Sequence, residues 1–94
     1  MVKVIYTYEV SKERQDEYLK VTKDTIKSFW ESHGCDAYTI WSPNGEPTKF
    51  VKEMLFKDEQ TMENSMKQAE AEPIKRLFSQ YATSVTRATY RQIL

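Results

Sequence analysis

His33 and Cys35 stand two residues apart, a base beside a thiol, which is the raw material of an activated-cysteine site. They are also the only histidine and the only cysteine in 94 residues. A two-histidine metal centre, a multi-cysteine metal site and an internal disulfide are therefore excluded within one chain. Two glycines cannot build a dinucleotide or phosphate loop. His33 closes a helical stripe and Cys35 opens a strand, so we read a packed or helix-capping histidine and a structural thiol. A second set has more to offer. Tyr6, Tyr8, Met54, Phe56, Met62, Met66, Phe78 and Tyr81 can meet between a sheet and a helix. They either fill a small core or line an adaptable pocket for a flat, apolar or aromatic molecule. The candidate ligand-binding residues are Tyr6, Tyr8, Met54, Phe56, Met66 and Phe78. No catalytic residue is assigned, and neither a metal nor a cofactor is expected. Lys52, between Phe50 and Met54, could hold an anionic group, but we expect it to snorkel to the surface.

The elements that position these residues follow from the hydrophobic period. It is two from Val2 to Val10, 3.6 from about Lys12 to His33, and two again from Ala37 to Phe56 with a turn between. It is helical from about Glu59 to Ala82, and a last strand runs from about Thr86 to Leu94. That order, β-α-β-β-α-β, predicts an α+β, ferredoxin-like fold with a four-stranded antiparallel sheet, as one domain over residues 1–94. In the first strand Val2, Val4, Tyr6, Tyr8 and Val10 share the face expected under the helices. Ser11 is an N-cap candidate, and Gly34 a helix stop. The first helix carries a stripe of Tyr18, Leu19, Thr22, Ile26, Phe29, Trp30 and His33. Pro43-Asn44-Gly45-Glu46-Pro47 marks the turn between strands two and three. Asp58 caps a second helix with a stripe of Met62, Met66, Ala69, Ile74, Leu77, Phe78 and Tyr81. Pro73 breaks it near 69–72.

Such a sheet leaves one face open. Ile5, Thr7, Thr89 and Ile93 are placed there, a mixture suited to a homodimer in which two sheets close on each other as a barrel. Fourteen basic residues balance fourteen acidic ones, so bulk charge recruits neither nucleic acid nor an anionic membrane. The charge is uneven, acidic over Asp58–Glu72 and basic over Pro73–Leu94. The absence of a spanning stretch and of a signal pattern leads us to expect a reducing cytoplasm.

Glu31-Ser32-His33-Gly34-Cys35-Asp36-Ala37-Tyr38 resembles the Glu-x-Gly-Cys-x-x-Tyr entry to strand two of antibiotic biosynthesis monooxygenase-like proteins. Phe56-Lys57-Asp58-Glu59 resembles their aromatic-x-Asp-Glu passage into helix two, and the helix broken at Pro73 is similar to theirs. The resemblance implies a dimeric α+β barrel. It brings with it cofactor-independent oxygenation of quinol-like substrates, haem breakdown, or isomerisation of small metabolites. The chain departs from the family where chemistry is done. The expected helix-two histidines fall at Ser65 and Ile74, and the expected strand-three glutamate at Met54. The asparagine and tryptophan of haem-degrading members fall at Tyr6 and Phe56. Haem chemistry is thereby set aside and the expectation of oxygenase chemistry weakened; the pocket's location is what carries over.

Two functions fit these residues. One is a homodimer that binds a small apolar or aromatic molecule without the family's histidines. The other is a cofactor-independent monooxygenase-like enzyme acting on a quinol-like or aromatic substrate, with a tyrosine polarising a substrate oxygen. A third, an RNA-recognition module of the same element order, lacks both the basic charge and the glycine its aromatic strand needs.

Overall fold

The computed structural model describes all of residues 1–94. Strand β1 is Val2–Glu9, β2 Cys35–Trp41, β3 Lys49–Phe56 and β4 Thr83–Arg91. They form one antiparallel sheet of order β2-β3-β1-β4, the predicted ferredoxin-like α+β arrangement. Helical structure on one side comprises a 3₁₀ turn Lys12–Arg14, α1 Gln15–Val21, a π-helical turn Thr22–Ile26 and α2 Lys27–Glu31. After β3 come α3 Glu59–Lys67 and α4 Ala71–Ser79.

The π turn has a sequence cause. Tyr18, Thr22, Ile26 and Trp30 lie four apart, and all four are buried. In an unbroken α-helix each step of four drifts about 40° around the axis, so the last would leave the face of the first. A π turn absorbs an extra residue and swings the second half back. Leu19, expected in this stripe, lies off it and is 43% exposed. Ser11 makes no side-chain cap; its carbonyl accepts the Arg14 N–H at 2.9 Å, which closes the 3₁₀ turn instead.

Gly34 ends the rod with φ +108°, a conformation that costs glycine little. A Cβ there would meet Thr61 of α3 at 3.2 Å, so the missing side chain also lets α3 close onto the rod. Glu31 ties α2 to β2: its Oε2 accepts the Tyr38 N–H at 3.2 Å and Lys27 Nζ at 3.0 Å, while Lys27 also donates to the Tyr38 carbonyl at 2.8 Å. Asp58 caps α3 as expected, its Oδ1 accepting the Thr61 N–H at 2.7 Å. That hydrogen bond, first among the causes, holds the Asp58 carboxyl below its ordinary range. Pro73 sits in the first turn of α4, where its missing N–H costs nothing. Across the break Lys75 Nζ donates to the Met66 carbonyl at 2.5 Å, satisfying an end group of α3. Ala69, expected in the buried stripe, lies in this break and is exposed.

Tyr8 and Tyr18 anchor the core. Their hydroxyls are 2.5 Å apart, both side chains are buried, and both phenols are pushed up by that burial. Phe78 stands edge-on to Tyr8 with ring centres 4.9 Å apart, and Phe50 packs at 5.9 Å from Tyr8.

The last strand differs from expectation. It starts at Thr83, three residues before Thr86, through Ser84 at φ 53° and a register shift opposite Thr7–Glu9. It ends at Arg91. Every one of its residues is exposed, so no apolar alternation marks its beginning. Its register moves Thr89 to the other side of the sheet. Thr89 pairs with Val4, whose side chain is buried under the helices, whereas Thr86, Ala88 and Tyr90 pair with Thr7, Ile5 and Lys3 on the open side. Ile93 lies beyond the strand and is 83% exposed.

Candidate functional site

Alternation along β3 puts Phe50, Lys52, Met54 and Phe56 on the helix side, all buried. Lys52 does not snorkel. It is 3% exposed, because both its strand neighbours and α4 wall it in: it pairs with Tyr6 of β1 and Ile40 of β2. Its Nζ lies 3.6 Å from the ring centre of Phe78, 4.2 Å from that of Tyr6 and 5.6 Å from that of Tyr38. No carboxylate pairs with it; the ion pairs of the chain lie elsewhere. Burial pushes its pKa down to about 7, against a small opposing pull from Cys35. Near neutrality a large fraction of these amines is uncharged.

The amine opens into a cleft of about 250 Å³ between the sheet and α4, lined by Tyr6, Trp30, Lys52, Met54, Ile74, Lys75, Phe78, Ser79 and Val85. The floor is aromatic, one wall is a face of α4, and no acidic residue lines it. Tyr6 is steadied by Arg87, whose Nε donates to the Tyr6 hydroxyl at 3.3 Å. The Tyr38 hydroxyl is buried and finds no partner in the chain; desolvation holds its phenol protonated.

Of the six residues expected to bind a ligand, Tyr6, Met54 and Phe78 line this cleft. Tyr8 and Phe56 are fully buried behind it and serve as core, and Met66 lies outside the lining, half-buried against the core. Trp30, Lys52, Ile74, Lys75, Ser79 and Val85 were not in that set. Lys52 carried a usable signal, since it occupies the even register between two buried apolar residues. Val85 carried none, because β4 shows no pattern.

His33 and Cys35 take separate partners. The His33 ring stacks on Phe29 at 4.1 Å, and its Nδ1–H donates to the Phe29 carbonyl at 2.7 Å, capping the helix end. Cys35 is buried, donates to the Ala37 carbonyl at 3.1 Å, and has its thiol pushed up by burial. No group of three or more His, Cys, Asp or Glu side chains converges to hold a metal ion.

A ferredoxin-like sheet with an aromatic cleft under a broken second helix defines a class of small α+β proteins. The family model for antibiotic biosynthesis monooxygenase matches residues 1–77, and the chain belongs to that family. Solved structures agree on the fold. A crystal structure of SnoaB, a cofactor-independent oxygenase from Streptomyces nogalater, superimposes with TM-score 0.83 at 11% identity over 99% of this chain and 93% of that one. HapK from Hahella chejuensis gives 0.84 at 12% identity, over 99% and 93%. An antibiotic biosynthesis monooxygenase gives 0.77 at 17%, over the whole of both chains. No curated protein matches the chain. No helix is long and apolar enough to cross a membrane.

Proposed function

We propose that the protein binds a small aromatic molecule bearing an acidic hydroxyl in the cleft over Lys52. One observation carries this: a buried amine, without a carboxylate partner, faces an aromatic cleft. An apolar ligand fills the space between Met54, Ile74 and Val85, and its hydroxyl supplies the partner the amine lacks. That hydroxyl donates to the neutral amine or accepts from the ammonium, so either form of Lys52 gains the partner it lacks. Titration with 2-naphthol, followed by quenching of tryptophan fluorescence, should show saturable 1:1 binding. Naphthalene should bind at least about tenfold more weakly, the worth of one charge-assisted hydrogen bond. Equal binding of the two, or no saturation, would sink the reading.

A second reading is favoured by the same amine. A base that is half neutral near pH 7 is matched to removing a quinol proton, and the anion so formed is the species that gives an electron to oxygen. SnoaB is a cofactor-independent oxygenase. In this chain neither α3 nor α4 bears a histidine, so Lys52 would be the base. Oxygen uptake with a naphthohydroquinone, above the uncatalysed rate and lost in Lys52→Met, is the expected result for this reading.

The uncovered side of the sheet supports a homodimer. Trp41 and Tyr90 are more than half exposed there, and Ile5, Val51 and Leu55 half-covered. A groove of about 550 Å³ runs past Ile5, Leu55 and Tyr90. Lys3 and Glu53 pair at 2.9 Å on the same face. Ile5→Asp should convert the dimer to monomer in sedimentation equilibrium at micromolar concentration, since it places an unpaired charge in the contact. A monomeric parent protein would refute the assembly.

A further inference from the structure

We propose that Lys52 is a nucleophilic amine that condenses with a small aromatic aldehyde in the cleft to form a Schiff base. The idea shares the cleft, but not the non-covalent phenol chemistry, of the reading above. Three observations carry it. Lys52 Nζ is buried yet borders a 250 Å³ cleft, so a carbonyl carbon can reach it while bulk water is largely excluded. Its surroundings are rings, Phe78 at 3.6 Å and Tyr6 at 4.2 Å, which suit a flat aldehyde. The charged groups near it are cationic: Lys75 lines the same cleft and Arg87 holds Tyr6, while the other titratable groups facing it are Tyr6, Tyr38 and Cys35, of which burial holds the Tyr38 phenol and the Cys35 thiol protonated. An amine in such a place is held in its neutral, nucleophilic form.

In the step, the Nζ lone pair attacks the carbonyl carbon to give a carbinolamine; the nitrogen gives up its two protons, the oxygen gains two and leaves as water, and C=N replaces C=O. No electrons are exchanged. Lys75 is the alternative nucleophile in the cleft, but its Nζ is engaged by the Met66 carbonyl at 2.5 Å and the Glu72 carboxylate at 3.5 Å.

The test is reductive trapping. Intact protein is incubated with benzaldehyde and sodium cyanoborohydride, then mapped by peptide mass spectrometry. At pH 7, Lys52 should carry the benzyl adduct about tenfold or more ahead of any other lysine, because exposed lysines remain almost wholly protonated. Its rate should rise between about pH 6 and 8 and then level, whereas exposed lysines keep accelerating toward pH 10. Lys52→Met should lose the adduct; should that variant not fold, the wild-type map decides alone. Adducts spread over exposed lysines, or centred on Lys75, would overturn the proposal. Naphthol binding without Lys52 labelling overturns it and leaves the phenol reading standing. Labelling without naphthol binding supports it and removes the other.

Discussion

Lys52→Met will make the protein more stable at pH 7 while stripping the cleft of its affinity for phenols. The amine's pKa falls to about 7 in the folded state from an ordinary value of 10.5. Between those two values the unfolded chain binds the proton and the folded chain does not, so wild-type stability rises with pH over that interval. At pH 7 and below, the penalty is on the order of 4–5 kcal/mol. Methionine fills a similar volume with no charge to desolvate, and the loss of contacts with Phe78 and Tyr6 offsets part of the gain. We expect a net stabilisation of about 2–4 kcal/mol at pH 7, shrinking toward zero near pH 10. Above pH 10 a different group takes over. Tyr8 and Tyr38 are held protonated by burial, so the unfolded chain loses protons that the folded chain keeps, and stability falls. The wild type should therefore be most stable near pH 9–10, with urea unfolding at pH 6, 7.5, 9 and 10 as the measurement. A variant that is less stable than wild type at pH 7, or a difference independent of pH, would contradict this account.

Phe78→Ala should cost about 3–5 kcal/mol as the truncation of a buried aromatic. Phe78 meets Tyr8 at 4.9 Å and Tyr6 at 6.0 Å and covers Lys52 Nζ at 3.6 Å. The cost should depend on pH in a way that an ordinary core truncation would not. Removing the ring lets water reach the amine, which returns the Lys52 pKa toward 10.5 and relieves the desolvation penalty at neutral and acid pH. The measured loss should thus be largest near pH 10 and smaller by about 1–2 kcal/mol near pH 6. Chemical denaturation of both proteins across that range decides it. A constant difference would mean that Phe78 does not keep water from Lys52.

The element order as far as α4 was legible because each of those segments buries one face, and burial writes a period into the sequence. The motifs behind the family resemblance were legible for the same kind of reason. Glu31, Gly34 and Asp58 tie α2 to β2, admit α3 and cap it, so they shape the scaffold rather than the cleft. The cleft was half legible. Tyr6, Met54 and Phe78 followed from alternation and helical spacing, but nothing along the chain says where packing leaves a gap. Lys52 was misread because a lysine is usually solvated, and only the register of β1 against β3, with α4 above, shows that its exit is closed. Thr89 was misplaced because β4 buries nothing that would fix its phase.

The lack of burial along β4 governs how the molecule breathes. β4 is held to the sheet chiefly by its backbone bonds to β1, at the sheet edge, and none of its side chains is buried. Peeling it away forfeits hydrogen bonds and only the partial cover of Val85 and Tyr90, so its opening free energy lies below that of β1 and β3. Amide exchange in the lone chain should begin there and leave the central strands protected. Whatever covers Tyr90 and Ala88 would set the lifetime of the whole edge, so exchange along β4 is a direct gauge of occupancy on the open side.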